Sequence, residues 1–204
     1  QQYRAAGGRK IAGSFFLLGE ILTSLPWIGN ASPDQPVDFC GTCTRCLDAC
    51  PTGALLKPRL LEARRCISYL SIESREIPPP ELREKWGDWL FGCDICQSVC
   101  PWNAKPFKIQ NDEKSSRLDL TTEQDDGLQQ DLRWILSSSG KRIEKAFRGT
   151  ALSRAGGFGL KRNALMVAAN RKLRNLLPEI ESLEQHPRLG ELARWAREKI
   201  LDPE

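Results

Sequence analysis

Cys40-Gly-Thr-Cys43-Thr-Arg-Cys46-Leu-Asp-Ala-Cys50-Pro51 and Cys93-Asp-Ile-Cys96-Gln-Ser-Val-Cys100-Pro101 hold seven of the eight cysteines in this 204-residue chain. The first run reads C-x2-C-x2-C-x3-C-P, the spacing of a bacterial two-cluster iron–sulfur site. The second is the same motif without its first cysteine, because Leu90 stands at that place. Cys66 lies between the runs and completes the eight.

The spacing has a physical basis. A cubane needs thiolates that converge on four iron corners. Cysteines two residues apart in a tight turn can surround one cube, but the same turn cannot also wrap its far corner. In two-cluster sites the last cysteine of each run ligates the other cluster. The first cluster is therefore assigned to Cys40, Cys43, Cys46 and Cys100. The second takes Cys50, Cys93 and Cys96 and, by elimination, Cys66. Pro51 and Pro101 stop each turn from continuing as helix. Two other uses of the cysteines compete. Zinc also favours C-x2-C pairs, but rarely a doubled C-x2-C-x2-C with C-P. Four disulfides are possible by count, but a chain of this length does not need them for stability.

Composition sets further bounds. No run of about 18 apolar residues exists, so no membrane span is expected. The start, Gln1-Gln-Tyr-Arg-Ala-Ala-Gly-Gly, lacks the apolar core of a secretory signal and lacks Met, as expected of a fragment or processed product. Thiolate-held clusters imply a reducing compartment, most simply the cytoplasm. Net charge is +4, unevenly placed: residues 132–199 carry 15 Lys/Arg against 6 Asp/Glu. That asymmetry suggests that the C-terminal part meets a polyanion, the alternative being a solvated helical surface.

The fold class read from the pattern is α+β and mostly helical, with a ferredoxin-like two-cluster module ahead of paired amphipathic helices that form either a small helical repeat or an ordinary bundle. Residues 1–36 form a connector, in which Ser14–Leu25 is apolar and Pro26–Pro36 is loop. The cluster module spans 37–106, with a helix expected over Glu81–Leu90. Residues 107–130 read as a polar linker. Residues 131–204 are helical: Leu173, Leu176, Leu177, Ile180 and Leu183 fall at helical spacing, as do Leu189, Leu192, Ala193, Ala196 and Ile200. A helix begun near Leu160 ends at Asn170, Gly156, Gly157 and Gly159 punctuate that run, and Pro178 starts or kinks another. His186 reads as a surface residue. Trp86, Trp89 and Trp134 read as core.

The segments Gly13-Ser-Phe-Phe-Leu-Leu-Gly-Glu-Ile-Leu22, Arg64-Arg-Cys-Ile-Ser-Tyr-Leu-Ser-Ile-Glu73, Cys100-Pro-Trp-Asn103, Phe147-Arg-Gly-Thr-Ala-Leu152 and Arg162-Asn-Ala164, with both cysteine runs, resemble the epoxyqueuosine reductases. The resemblance covers nearly all of residues 13–200, and it implies that 1–36 is a remnant of a cobalamin-binding domain with its connector and that 131–204 is a HEAT-like, tRNA-binding helical domain. It implies reduction of the epoxide of epoxyqueuosine in the tRNA anticodon loop to the cyclopentene of queuosine, with two 4Fe–4S clusters and cobalamin. It also implies an N-terminal domain holding much of the corrinoid pocket and a proton-donating Asp. The chain opens close to where that domain should end, so no catalytic residue is expected within it, and little activity in isolation.

On that resemblance Ser68 and the Cys93–Asp94 backbone are candidates to face the corrin, with Lys10 and Ile21 as weaker candidates at the domain junction. Lys141, Arg142, Lys145, Arg148, Arg154, Lys161, Arg162, Arg171, Lys172 and Arg174 are candidates for tRNA phosphates. An external donor such as a flavodoxin or ferredoxin, and a monomeric state, complete the expectation. Two other functions fit the cysteines: a plain electron-transfer ferredoxin with a helical tail, and a corrinoid reductase of the reductive-dehalogenase type. The basic tail argues against the latter, since a small halogenated substrate needs no polycation.

Overall fold

The computed structural model describes residues 2–4, 10–12, 21–25, 40–103 and 123–203. The expected loop at Pro26–Pro36, most of the apolar Ser14–Leu25 stretch and the linker up to residue 122 lie outside them. Strands β1 (Gln2–Arg4) and β2 (Lys10–Ala12) pair antiparallel, with Tyr3 opposite Ile11. The rest of the fold is two cysteine turns and a stack of helices.

Helix α1 (Arg45–Asp48) lies inside the first cysteine run. Strands β3 (Leu55–Lys57) and β4 (Leu60–Leu61) follow as a small antiparallel hairpin. Its turn uses Pro58 and then Arg59 at φ 64°, a left-handed value more often supplied by glycine. Helix α2 (Ile67–Ile72) buries Ile67, Leu70 and Ser71, the i, i+3, i+4 face that a short helix can bury.

Helix α3 (Pro80–Arg83) opens with proline in its first turn and passes into a 3-10 turn over Glu84–Trp86. The expected single helix over Glu81–Leu90 stops there. Gly87 takes φ 65°, and Trp86, fully buried, donates its Nε1–H to the Trp89 carbonyl at 2.7 Å. The chain is thereby released from the helix in time to deliver Leu90 and Gly92 to the second cysteine run, which contains α4 (Ile95–Ser98).

Helix α5 (Glu123–Ser137) begins earlier than the sequence pattern indicated, so residues 123–130 of the expected linker are helical. Helix α6 (Gly140–Ala146) is capped by Ser139, whose Oγ accepts from the Arg142 amide at 3.3 Å. Helix α7 (Gly156–Asn170) ends at Asn170 as expected but starts four residues before Leu160. Gly157 lies inside the helix because the α6 backbone passes too close there for a side chain. A Cβ on Gly157 would lie 2.5 Å from Gly140 Cα. Helices α8 (Leu177–Glu181), with Pro178 in its first turn, and α9 (Gly190–Leu201) complete the stack. His186 is exposed, and its Nδ1 accepts from the Arg188 and Leu189 amides at 3.2 Å, closing the turn before α9.

Helix α7 is the hub. It packs on α5, α6 and α9, and its α2-facing side meets the cysteine-bearing part of the chain. Leu160 and the run Ala164–Ala169 are buried. One buried cluster joins Ile67, Leu70, Leu82 and Trp86 to Leu132, Leu165, Leu192 and Ile200, so the cysteine-bearing part and the helical tail share a core. The fold is mostly helical with two small sheets, in line with the α+β expectation.

Candidate two-cluster site

The two cysteine turns are near copies. Thr44 and Asp94 occupy the N-cap positions of α1 and α4, at φ −114°, ψ 3° and φ −115°, ψ 17°. The matching turn bonds are Cys50 N–H to Leu47 O at 3.4 Å and Cys100 N–H to Gln97 O at 3.3 Å. After each proline the chain closes again, with Gly53 N–H on Cys50 O at 3.1 Å and Asn103 N–H on Cys100 O at 2.9 Å. Asn103 adds a side-chain bond to Gln97 O at 2.7 Å. Helices α1 and α4 lie side by side.

Cys66 arrives from a third direction. Glu62 caps the 3-10 turn before it by accepting from the Arg64 amide at 3.2 Å. The side-chain hydrogen bond from Arg64, with its backbone bond, holds the Glu62 carboxyl down to about 2. Arg65 Nε donates to Thr52 O at 3.0 Å, tying this turn to the one after Cys50. Cys66 then sits extended at the N-cap of α2.

These three segments bring Cys50, Cys66, Cys93 and Cys96 around one hollow of about 260 Å³, with Ser68 and Asp94 also in its lining. These are the four thiols grouped by the sequence into one set. Of the other set, Cys40 and Cys43 are exposed, and Cys46 and Cys100 are half-buried. Cys46 is close enough to Cys96 to act on its thiol, so the two sets adjoin.

The electrostatics show what the hollow requires. Burial pushes the Cys93 thiol up, and the neighbouring Cys66, Cys50 and Asp94 push it further. Cys96 is raised by burial and then by Cys93, Cys66 and Cys46. Cys50 also feels burial, but hydrogen bonds from Thr52, Ala54 and Leu55 outweigh it and lower its pKa; the Ala54 amide lies 3.3 Å from its Sγ. Burial and the neighbouring thiols thus disfavour the thiolate form of Cys93 and Cys96, and a cationic centre such as iron offsets that. None of the eight cysteines is in a disulfide. Among the described residues, no three His, Cys, Asp or Glu side chains converge on a point the size of a single ion. The donor set fits thiolate-held clusters.

Of the other expected site residues, Ser68 and Asp94 line the hollow and Ile21 does not. Ser68 is half-buried, and its carbonyl accepts from Ser71 Oγ at 3.1 Å. Asp94 is exposed. Ile21 is 92% exposed and lies outside the hollow's lining. Lys10 is in β2, away from the described cysteines in sequence.

Among the ten candidate tRNA cations, Arg162 is corrected: it is fully buried and bonds the protein's own carbonyls. Lys161 donates to Leu136 O at 2.8 Å, Arg154 pairs with Glu73 at 2.6 Å, and Lys172 donates to Asp202 O at 3.1 Å. Lys141, Arg142, Lys145, Arg148 and Arg174 are exposed, four of them on or just after α6. Sequence reasoning also missed Asn163 and Asn170, whose amides bind carbonyls of the cysteine-bearing part. The available signal was a polar trio, Lys161, Arg162 and Asn163, inside a mostly apolar helical run.

Residues 39–103 match the 4Fe-4S double cluster binding domain. The chain is 38% identical over 197 residues to the epoxyqueuosine reductase of Bacillus subtilis, covering 94% of this chain and 47% of that protein. It is 37% identical over 188 residues to that of Escherichia coli, covering 91% and 47%. Its fold superposes with a TM-score of 0.65, at 36% identity, on an epoxyqueuosine reductase crystallised with an epoxyqueuosine-modified tRNA-Tyr stem loop, covering 84% of this chain and 44% of that one. The match to the Bacillus subtilis structure has a TM-score of 0.64 at 37% identity, covering 82% and 44%. The chain thus spans about half the length of the curated relatives it matches. The two-cluster cysteine module and the helical tail both align, in sequence and in fold, with about half the length of the epoxyqueuosine reductases, and it is these proteins that the chain resembles.

Proposed function

We propose that this chain supplies the electron relay and the tRNA-facing surface for reduction of epoxyqueuosine to queuosine in the tRNA anticodon loop. The observation that carries the reading is the gathering of Cys50, Cys66, Cys93 and Cys96 around one hollow with Ser68 and Asp94 in its lining. In this reading those four thiolates hold one 4Fe–4S cluster, and Cys40, Cys43, Cys46 and Cys100 hold the other.

Removal of the epoxide oxygen takes two electrons and two protons overall and leaves an alkene and water. Cobalamin, when bound, supplies a low-valent metal able to attack the epoxide. The chain's own residues do the rest that falls to it. Ser68 and the Cys93–Asp94 backbone lie where a corrinoid approaching the hollow would meet them. Leu55 and Leu61, also in the hollow's lining, make part of its wall apolar. The exposed cations Lys141, Arg142, Lys145 and Arg148 meet tRNA phosphates, a salt-sensitive and largely sequence-independent mode. The modified base is then presented from the loop, as enzymes that act on a base require.

An external flavodoxin- or ferredoxin-type donor delivers the electrons, in a reducing compartment such as the cytoplasm. No helix among the described residues is long and apolar enough to cross a membrane. The units act as a cluster module at 37–106 and a tRNA-binding helical unit at 131–204, the latter now extended back to the start of α5.

The test incubates the cluster-loaded chain with cobalamin, a strong reductant and epoxyqueuosine-tRNA, with and without the remaining half of a relative's chain in trans, and then analyses the nucleosides. Queuosine in either arm supports the reading. Loaded clusters with no queuosine in either arm, and no change in the cob(II)alamin spectrum, would favour the electron-transfer ferredoxin instead.

A further inference from the structure

Arg162 is the largest buried charge among the described residues that the proposed chemistry leaves unused. Its side chain is fully buried in α7, above the ring of Trp86 at 6.0 Å. Its partners are carbonyls and one amide. Nη2 donates to Leu70 O at 2.5 Å, and Nη1 donates to Ser74 O at 2.7 Å and Glu76 O at 3.0 Å. Leu70 O lies in the last turn of α2, where helix carbonyls lack intrahelical donors and the helix dipole is negative. The guanidinium thus closes the far end of the helix that Cys66 begins.

Its neighbour works on the other thiol-bearing segment. Asn163 Oδ1 accepts from Arg162 Nε at 3.0 Å and Nη2 at 2.9 Å. That fixes the amide's orientation, so Nδ2 is left to donate to Ser71 O at 2.9 Å and to Leu90 O at 2.8 Å. Leu90 is the residue that stands where the second run lacks its cysteine. Ser71 completes the linkage, because its Oγ accepts from the Gly92 amide at 3.0 Å while donating to Ser68 O. Gly92, at φ 74°, immediately precedes Cys93.

We propose that Arg162 and Asn163 are positioning residues for the second cluster, clamping from α7 the two backbone segments that present Cys66 and Cys93. The proposal rests on the reading of those cysteines as ligands. Where the first run places Cys40, the second has spent that position on a bond to the helical tail, and Cys66 supplies the thiol instead. Both of these segments then hang on one pair of adjacent side chains. Hydrogen bonding and exposure around cluster sulfurs tune their potential, and residues beyond the ligands orient them. Burial, with Arg75 and Arg188 nearby, lowers the Arg162 pKa to about 10, so retaining a cation here is costly and calls for the dense set of acceptors it has.

The test uses the reconstituted chain with three substitutions: Asn163→Ala, Ser71→Ala and Asn170→Ala. Asn170 is the control, an α7 amide that also holds two carbonyls but none adjacent to a cysteine. Electron paramagnetic resonance of the reduced protein and a redox titration read the clusters, and urea unfolding reads the fold. The expected result is that Asn163→Ala and Ser71→Ala each shift the g values and midpoint of one cluster and leave the other unchanged, while Asn170→Ala lowers the unfolding midpoint without moving either signal. Unchanged cluster signals in Asn163→Ala and Ser71→Ala would overturn the proposal. So would an equal shift in Asn170→Ala, which would mean that general loosening is the cause. If Asn163→Ala does not fold, Ser71→Ala, which removes one hydroxyl, decides by the same two outcomes. A wild-type chain that takes up no iron would instead refute the ligand reading, before any variant is compared.

Discussion

Asn170, the last residue of α7, caps the turn that ends at Gly87: its Nδ2 donates to Gly87 O at 2.7 Å and to Arg83 O at 2.9 Å. The Arg83 carbonyl belongs to the short helical piece over residues 80–86 and Gly87 follows its last turn, where carbonyls lack intrahelical donors. The same bonds hold the chain at the point where that piece stops.

Asn170→Ala should therefore destabilise the protein by about 1–3 kcal/mol, the cost of leaving half-buried polar groups unpaired. Urea unfolding followed by circular dichroism measures it. An unchanged midpoint would show that solvent replaces the amide without loss.

Cys66→Ala should remove one cluster and spare the other. Anaerobic reconstitution of the parent chain should give about eight irons and eight sulfides per chain, and the variant about half of each. Retention of two clusters with unaltered spectra would show that the fourth thiol of the second set comes from elsewhere.

Binding to tRNA should fall roughly linearly in log K with log salt, with a slope of about −0.7 to −0.9 per phosphate neutralised. Replacing Lys141, Lys145 and Arg148 by Gln should flatten that slope and weaken binding to all tRNAs alike. Arg162 should be left out of any such set, because it is buried and its loss would act through the fold. A filter-binding series across salt concentrations decides, and a slope unaffected by the triple replacement would move the RNA away from α6.

Gly157→Ala should lower stability by about 1–3 kcal/mol through overpacking, since the added methyl would meet the Gly140 backbone at 2.5 Å and neither backbone can yield without moving a helix. Gly127→Ala is the matched control, because a Cβ there meets nothing within 4 Å. It should leave stability unchanged or raise it slightly through helix propensity. Equal unfolding midpoints for both variants would show that α6 and α7 can separate freely.

The cysteine spacing made the two-run module legible, because a fixed motif encodes its own local geometry. The helical periodicity of Leu189–Ile200 and the stop at Asn170 were legible for the same reason: each is a local signal. What escaped was set by contacts distant in sequence. The helix expected over Glu81–Leu90 has the right apolar spacing, but Gly87 and the Asn170 cap end it. The early start of α7 was hidden because Gly156 and Gly157 read as breakers, whereas Gly157 is there for a backbone that approaches from α6. Arg162 looked like one more surface cation. Only its place just before the apolar run Ala164 to Ala169 hinted that it points inward.

The 15 residues of α7 make a strut about 22 Å long. Near one end it touches the α6 backbone through Gly157, one turn further it grips the segments of Cys66 and Cys93 through Arg162 and Asn163, and at the other end it holds Gly87. A rod fastened at three points along its length leaves no hinge between the basic face and the cysteine turns. The exposed cations of α6 and the backbone behind Cys66 and Cys93 are thus fastened to one and the same helix.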